Sequence, residues 1–248
     1  MSVSRQILLL VLLLAGVMGL FEATDLDLRL QDRFHDFRTH QWLIDKKAPL
    51  PRAVLYHGMK GLAIAAGVAA AAAVVLSLRV PSVRPHRRAA AMLLASLGLV
   101  PLSIATLKKV SNVYTPDQIL RYGGPQPYVK PLERYPAGFH QTKRGRGFPA
   151  GHASGGFAFL SLYFVFRRRA WRLGGLAFGL AAGWAMGLYQ MLTGEHYLSH
   201  TLVTMLLTWI IVLLLRLLLP DSSSPAAPVA APDRAGNAYR APDRTPPR

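Results

Sequence analysis

The chain has 248 residues, 52% of them apolar and only 17% charged, with a mean hydropathy of +0.26. Soluble domains average roughly 25% charged residues, so a soluble globule is short of polar surface here. There is no cysteine to staple a secreted scaffold or to ligate a metal, which excludes those classes. The 29 Lys and Arg against 12 Asp and Glu give a net charge of +17. These cations fall in loops between apolar runs rather than on one soluble face, which argues against nucleic acid and for anionic lipid or phosphate-bearing partners.

Six apolar runs are predicted as spans of an all-α integral membrane bundle, since a spanning helix needs about 20 mostly apolar residues. They cover 6–21, 61–78, 89–107, 153–166, 173–194 and 201–219. The first follows Arg5 and lacks a small-residue cleavage site, so it reads as an uncleaved span rather than a signal peptide. Pro101 in the third is tolerated inside a bundle, and Arg216 near the end of the sixth can snorkel. Six spans leave both termini on one side. The arginine-dense loops 79–88 and 167–172 lie on that side too, which therefore reads as cytoplasmic. Segments 22–53 and 108–152 then lie outside, as in a protein of a bacterial inner or plasma membrane. The chain divides into an N-terminal span with its first external segment (1–53), a helical core (54–219) and a tail (220–248). That tail is rich in Pro, Ala and Arg and is predicted to be disordered, because it cannot bury a core.

Three local patterns at the outer ends of these runs carry chemistry. Phe148-Pro149-Ala150-Gly151-His152 precedes the fourth run. Small residues let backbone approach a ligand, helix-start N–H groups favour anions, and a histidine there can protonate a leaving group. Upstream stand Lys143, Arg144 and Arg146, suited to phosphate, although interfacial arginines beside a helix cap are common. Between the fifth and sixth runs, His196 and His200 are four residues apart and share one helical face. That spacing suits a nucleophile with an orienting partner, and also a zinc pair. Glu195 precedes His196, so the His-Glu-x-x-His metalloprotease pattern is absent. Lys108 closes the third run, where a lysine alone reads as an interfacial cation.

Taken in order, these patterns resemble the motifs of the type-2 phosphatidic acid phosphatase superfamily: Lys-x6-Arg-Pro, then Pro-Ser-Gly-His, then Ser-Arg-x5-His-x3-Asp. Lys108 and Pro116 match the first, with Thr115 in the arginine slot. Pro149, Gly151 and His152 match the second, with Ala150 for serine. His196 matches the third, with Tyr189 and Gln190 in the Ser-Arg slots and His200 in the aspartate slot. The resemblance covers roughly residues 54–219. It implies a membrane phosphatase acting on a lipid phosphate or diphosphate through a phosphohistidine, with no cofactor and no metal. By resemblance His196 is the nucleophile, His152 the general acid and Lys108 a phosphate clamp, with Gly151 at the phosphate. His200 is expected to orient His196, and Arg146 and Arg144 to replace the missing arginines. The five changed motif positions leave two alternatives, a lipid phosphotransferase and a catalytically inactive relative that binds anionic lipid. A transporter with a histidine proton relay is a more distant one. Tyr114, Tyr122, Tyr128 and Tyr135 are expected to cover the site and meet headgroups at the interface.

Overall fold

The computed structural model describes residues 2–219, so the predicted disorder of 220–248 lies outside the described residues. Helix α1 (Val3–Ala23) is followed by a short helix α2 (Leu26–Gln31) and an antiparallel strand pair, β1 (His35–Asp36) and β2 (Gln41–Trp42), with His35 opposite Trp42. One turn of helix α3 (Pro49–Pro51) runs through a wider π-type segment into α4 (Met59–Leu76). Helix α5 (Arg87–Ser111) ends where Asn112 turns left-handed at φ 54°. After a long connecting segment come α6 (Gly151–Phe157), a 3₁₀ stretch (Ala158–Ser161) and α7 (Leu162–Val165). Two long helices follow, α8 (Arg169–Leu192) and α9 (Leu198–Leu218).

Among the described residues five helical stretches are long and apolar enough to cross a membrane: Val3–Ala23, Pro49–Leu76, Arg84–Gln118, Arg169–Leu192 and Leu198–Leu218. They fit an integral membrane protein. The fourth expected span is different. Its Gly151–Val165 segment is broken into three short pieces and is largely buried, from Ala153 to Ser161, rather than facing lipid. It nevertheless passes between the same two ends of the bundle. Gly151 starts beside Lys108, and Val165 ends on a cavity that Arg88 also lines, at opposite ends of α5.

The partner that lets this segment sit so deep is α8. Gly175, Gly179, Gly183 and Gly187 recur every fourth residue and so share one face. A Cβ on them would meet Leu162, the Phe159–Leu160 backbone, the Phe157 ring and the Thr201 side chain in turn. Helices in lipid associate through close packing and interhelical hydrogen bonds, and small residues permit both. Hydroxyls complete the joint: Ser96 Oγ donates to the Ala158 carbonyl at 2.7 Å, and Thr204 Oγ1 to the Ala150 carbonyl at 3.2 Å.

Segments 24–48 and 112–150 fold over one end of the bundle as a cap. Its core is Tyr114, Ile119, Tyr122 and Tyr197, with Trp42, Tyr128 and Tyr135 packed against it. The tyrosines expected at the headgroups are thus structural. Tyr114 Oη donates to the Lys143 carbonyl at 2.5 Å, Tyr135 Oη to that of Asn112 at 2.6 Å, and Tyr122 Oη to Asp32 at 3.0 Å. A long loop needs partners for its own buried backbone, and phenols supply them at little entropic cost.

Candidate active site

The site forms where the cap meets the bundle. Lys108 lies in the last turn of α5, and Gly151 and His152 open α6. The close approach there depends on glycine, since a Cβ at Gly151 would stand 3.2 Å from the Lys108 amine. His196 sits in the turn between α8 and α9, whose backbone folds back so that the N–H groups of Glu195 and His196 both donate to the Gln190 carbonyl, at 2.8 and 3.2 Å. His200 is one turn into α9. The two imidazoles meet, with Nδ1 to Nδ1 at 3.4 Å, and both are about 2% exposed. One Nδ1–H donates to the other nitrogen, which leaves His196 Nε2 outside the pair. Burial holds the His196 imidazole well below the ordinary histidine range; the charges of Lys108, His200 and His152 push the same way, against a hydrogen bond that the ring donates to the Gly147 backbone. His196 is therefore neutral at physiological pH, as a nucleophile must be.

Two cavities share His152 and Tyr56. One, of about 510 Å³, runs between α4, α5 and α6 and is walled by Ala63, Ile64, Gly67, Leu94, Leu97 and Gly98. Its polar end carries Lys60, Lys108, Gly151 and His152. The other, of about 340 Å³, opens toward the cap and is lined by Lys46, Lys47, Arg52, Tyr189, Gln190, Thr193 and Glu195. His152 lines both cavities, and its Nδ1, which solvent does not reach, has no hydrogen-bond partner among the described residues.

The structure thus brings together Lys108, Gly151, His152, His196 and His200, though His196 itself lines neither cavity. Arg144 and Arg146 are exposed and line neither cavity, and Arg144 donates to the Val110 carbonyl at 3.2 Å. Thr115, in the arginine slot, turns to Asp117 at 2.5 Å, while Tyr189 and Gln190 do face the polar cavity. The cations that line the cavities are Lys46, Lys47, Arg52, Lys60 and Lys108. Four of these went unnoticed in the sequence. Lys60 had a signal, since it directly precedes the apolar run 61–78, as Lys108 directly follows another.

Asp27 was also missed. Its carboxylate accepts the backbone N–H of Ser199 at 2.9 Å and the Ser199 hydroxyl, capping the start of α9 between the two histidines. Gln31 Nε2 donates to the Met191 carbonyl at 2.7 Å, and Trp42 presses on Gly194, whose φ of 76° requires glycine. Lys46 reaches both Asp117 and Glu195, at 2.8 and 3.3 Å. The histidine turn is therefore held from outside by residues 27–46.

A family model described as the PAP2 superfamily matches residues 89–223. No curated protein and no solved structure matches the chain.

Proposed function

The chain belongs to the PAP2 superfamily, whose members are typically phosphatases or phosphotransferases acting on phosphate esters, and on that premise we propose that it removes the phosphoryl group from a lipid phosphate at the outer face of a bacterial membrane. The observation that carries this reading is the pair of cavities that meet at His152, one apolar and within the bundle, one polar and cationic. A lipid chain lies in the first, and its phosphate reaches the junction without leaving the bilayer.

In this mechanism Nε2 of neutral His196 attacks phosphorus while its Nδ1 proton is shared with His200. The P–O bond to the lipid breaks, and His152, protonated once the phosphate anion lies beside it, gives its proton to the departing oxygen. Water then attacks the phosphohistidine, with His152 taking its proton, and inorganic phosphate leaves. The transition state is loose and metaphosphate-like, so positioning and positive charge matter most. Lys108 and Lys60 supply that charge, with Arg52 at the outer side, and they take over the clamp expected of Arg146 and Arg144. A silent lipid-binding relative is the second reading. The burial of His196 away from both cavities favours it, because attack requires the phosphate to press past Gln190 and Glu195.

The test is phosphate release in mixed micelles. Long-chain lipid phosphates are expected to be hydrolysed at least about tenfold more efficiently than a soluble aryl phosphate, about 1.4 kcal/mol at the transition state. Acid-labile phosphate should be trapped on the wild type and absent from His196→Ala. Preference for the aryl ester, or activity of His196→Ala within tenfold of wild type, rejects the mechanism. Release from no lipid phosphate at all selects the silent relative.

A further inference from the structure

The π-type segment Arg52–Gly58 carries a side chain that the mechanism above does not use, Tyr56. A π turn is a rare departure from the α-helical ladder and recurs at functional sites. Here it leads into α4, with Arg52 four residues before Tyr56 and Lys60 four after it, and all three line the site cavities. Tyr56 and His152 are the two residues that both cavities share. Their rings meet with centroids 4.6 Å apart and planes inclined by 46°. His57 lies edge-on to the tyrosine, 4.9 Å away. A tyrosine near a membrane surface is commonly an interfacial anchor among headgroups. Tyr56 is half-buried instead, with its ring against a histidine at the polar end of the apolar cavity.

His152 must hold a proton to act as an acid, and the charges around it oppose that. Lys60 of α4 and Lys108 of α5 share the apolar cavity with it, and Lys46, Lys47 and Arg52 share the polar one. Glu195 is the one carboxylate lining either cavity, and Lys46 already pairs with it at 3.3 Å. Tyr189 of α8 brings no charge, and His196 and His200 are joined Nδ1 to Nδ1 and bring no negative one. His152 Nδ1 has no hydrogen-bond partner among the described residues, so no acceptor there favours the charged ring. What touches the imidazole is an aromatic ring. The quadrupole of a tyrosine attracts a cation within about 6 Å of its centroid.

We propose that Tyr56 is the positioning residue of His152: its ring holds the imidazole at the junction of the two cavities and favours the protonated form. The consequence for turnover rests on the phosphatase reading, whereas the consequence for protonation does not. Tyr56→Leu keeps bulk without the aromatic face, and Tyr56→Phe keeps the face without the hydroxyl.

The full chain, with isotope-labelled histidine, is placed in detergent micelles with a long-chain alkylphosphonate, whose P–C bond is not hydrolysed. The His152 signal is assigned by its loss in His152→Asn. Its NMR titration midpoint should fall by about one pH unit in Tyr56→Leu, equivalent to about 1.4 kcal/mol, and should stay at the wild-type value in Tyr56→Phe. In phosphate release from a lipid phosphate, Tyr56→Leu should lower kcat about tenfold and leave KM within about twofold. The alkaline limb of its pH–rate profile should move to lower pH, because less of the acid form survives there. Equal midpoints in wild type and Tyr56→Leu, or a Phe variant that behaves as the Leu variant does, overturn the role. Tyr56→Met takes the place of Tyr56→Leu if the latter does not fold. A wild type that releases phosphate from no lipid phosphate rejects the phosphatase reading, and the midpoints still decide the role of Tyr56.

Discussion

Replacing Asp27 by asparagine separates the cost of a buried charge from the value of a helix cap. Asp27 is 7% exposed, and burial outweighs its bonds to Ser199 and the charge of Lys130, raising its pKa from 3.8 to about 6. An acid harder to ionise in the folded state than in the unfolded one favours folding while protonated. That contribution is complete below about pH 4 and is lost as pH rises through about 6. About two pKa units amount to roughly 3 kcal/mol. Asp27→Asn has the same shape, keeps one acceptor for Ser199, and does not titrate. At pH 4 the wild type should be the more stable by about 1 kcal/mol, the worth of one hydrogen bond. By pH 8 the order should reverse, the difference having moved by roughly 3 kcal/mol. The assay is thermal or denaturant unfolding of the detergent-solubilised protein at pH 4 to 8. A wild type-to-variant difference that stays flat across this range, or a wild type that gains stability with rising pH, would refute the argument.

Asp27→Ala is deliberately absent from that design, since it would leave two buried donors unpaired and confuse cap with charge. His200→Asp should remain active in phosphate release, because a carboxylate can take the Nδ1 proton that His196 now shares at 3.4 Å. It should also move the acid limb of the pH–rate profile upward, as a negative neighbour favours protonated His196. Gly98→Phe, where a Cβ would meet open space, should fill the apolar cavity. It is expected to raise KM for a long-chain lipid phosphate about tenfold or more and to erase chain-length selectivity. Gly183→Ala should destabilise the protein by about 1–3 kcal/mol in an unfolding titration, because its Cβ enters the Phe157 ring.

Much of this was readable from residue order. Apolar runs announce membrane helices because the bilayer demands length and uniform composition, and α1, α4, α5, α8 and α9 all answer to such runs. His152, His196, His200 and Lys108 stood out because ionisable groups beside those runs are costly. The broken form of 151–165 was hidden, since a run of small and aromatic residues looks alike whether it meets lipid or glycine. The cap was hidden for a different reason. Asp27 with Ser199, Gln31 with Met191 and Lys46 with Glu195 are pairs more than a hundred residues apart. They lie in segments with no hydrophobic period, and no local pattern records them.

The glycine face of α8 also constrains how the protein is made. Four glycines each cost a helix interior about 1 kcal/mol relative to alanine, and α8 has a hydropathy of 1.2, the lowest of the five long helices. Its neighbour 151–165 would extend only about 22 Å as ideal helix, against a hydrocarbon thickness of about 30 Å. The short segment is a poor candidate to enter the bilayer alone, and α8 is the least apolar of the five helices that could. Each supplies what the other lacks, the short segment its side chains and α8 its length and the groove that receives them. The two are therefore expected to enter the membrane as one hairpin turning at Phe166–Arg168, with His152 reaching its depth only when α8 arrives. A nascent chain released before Leu192 would carry His152 without the helix that holds it at depth.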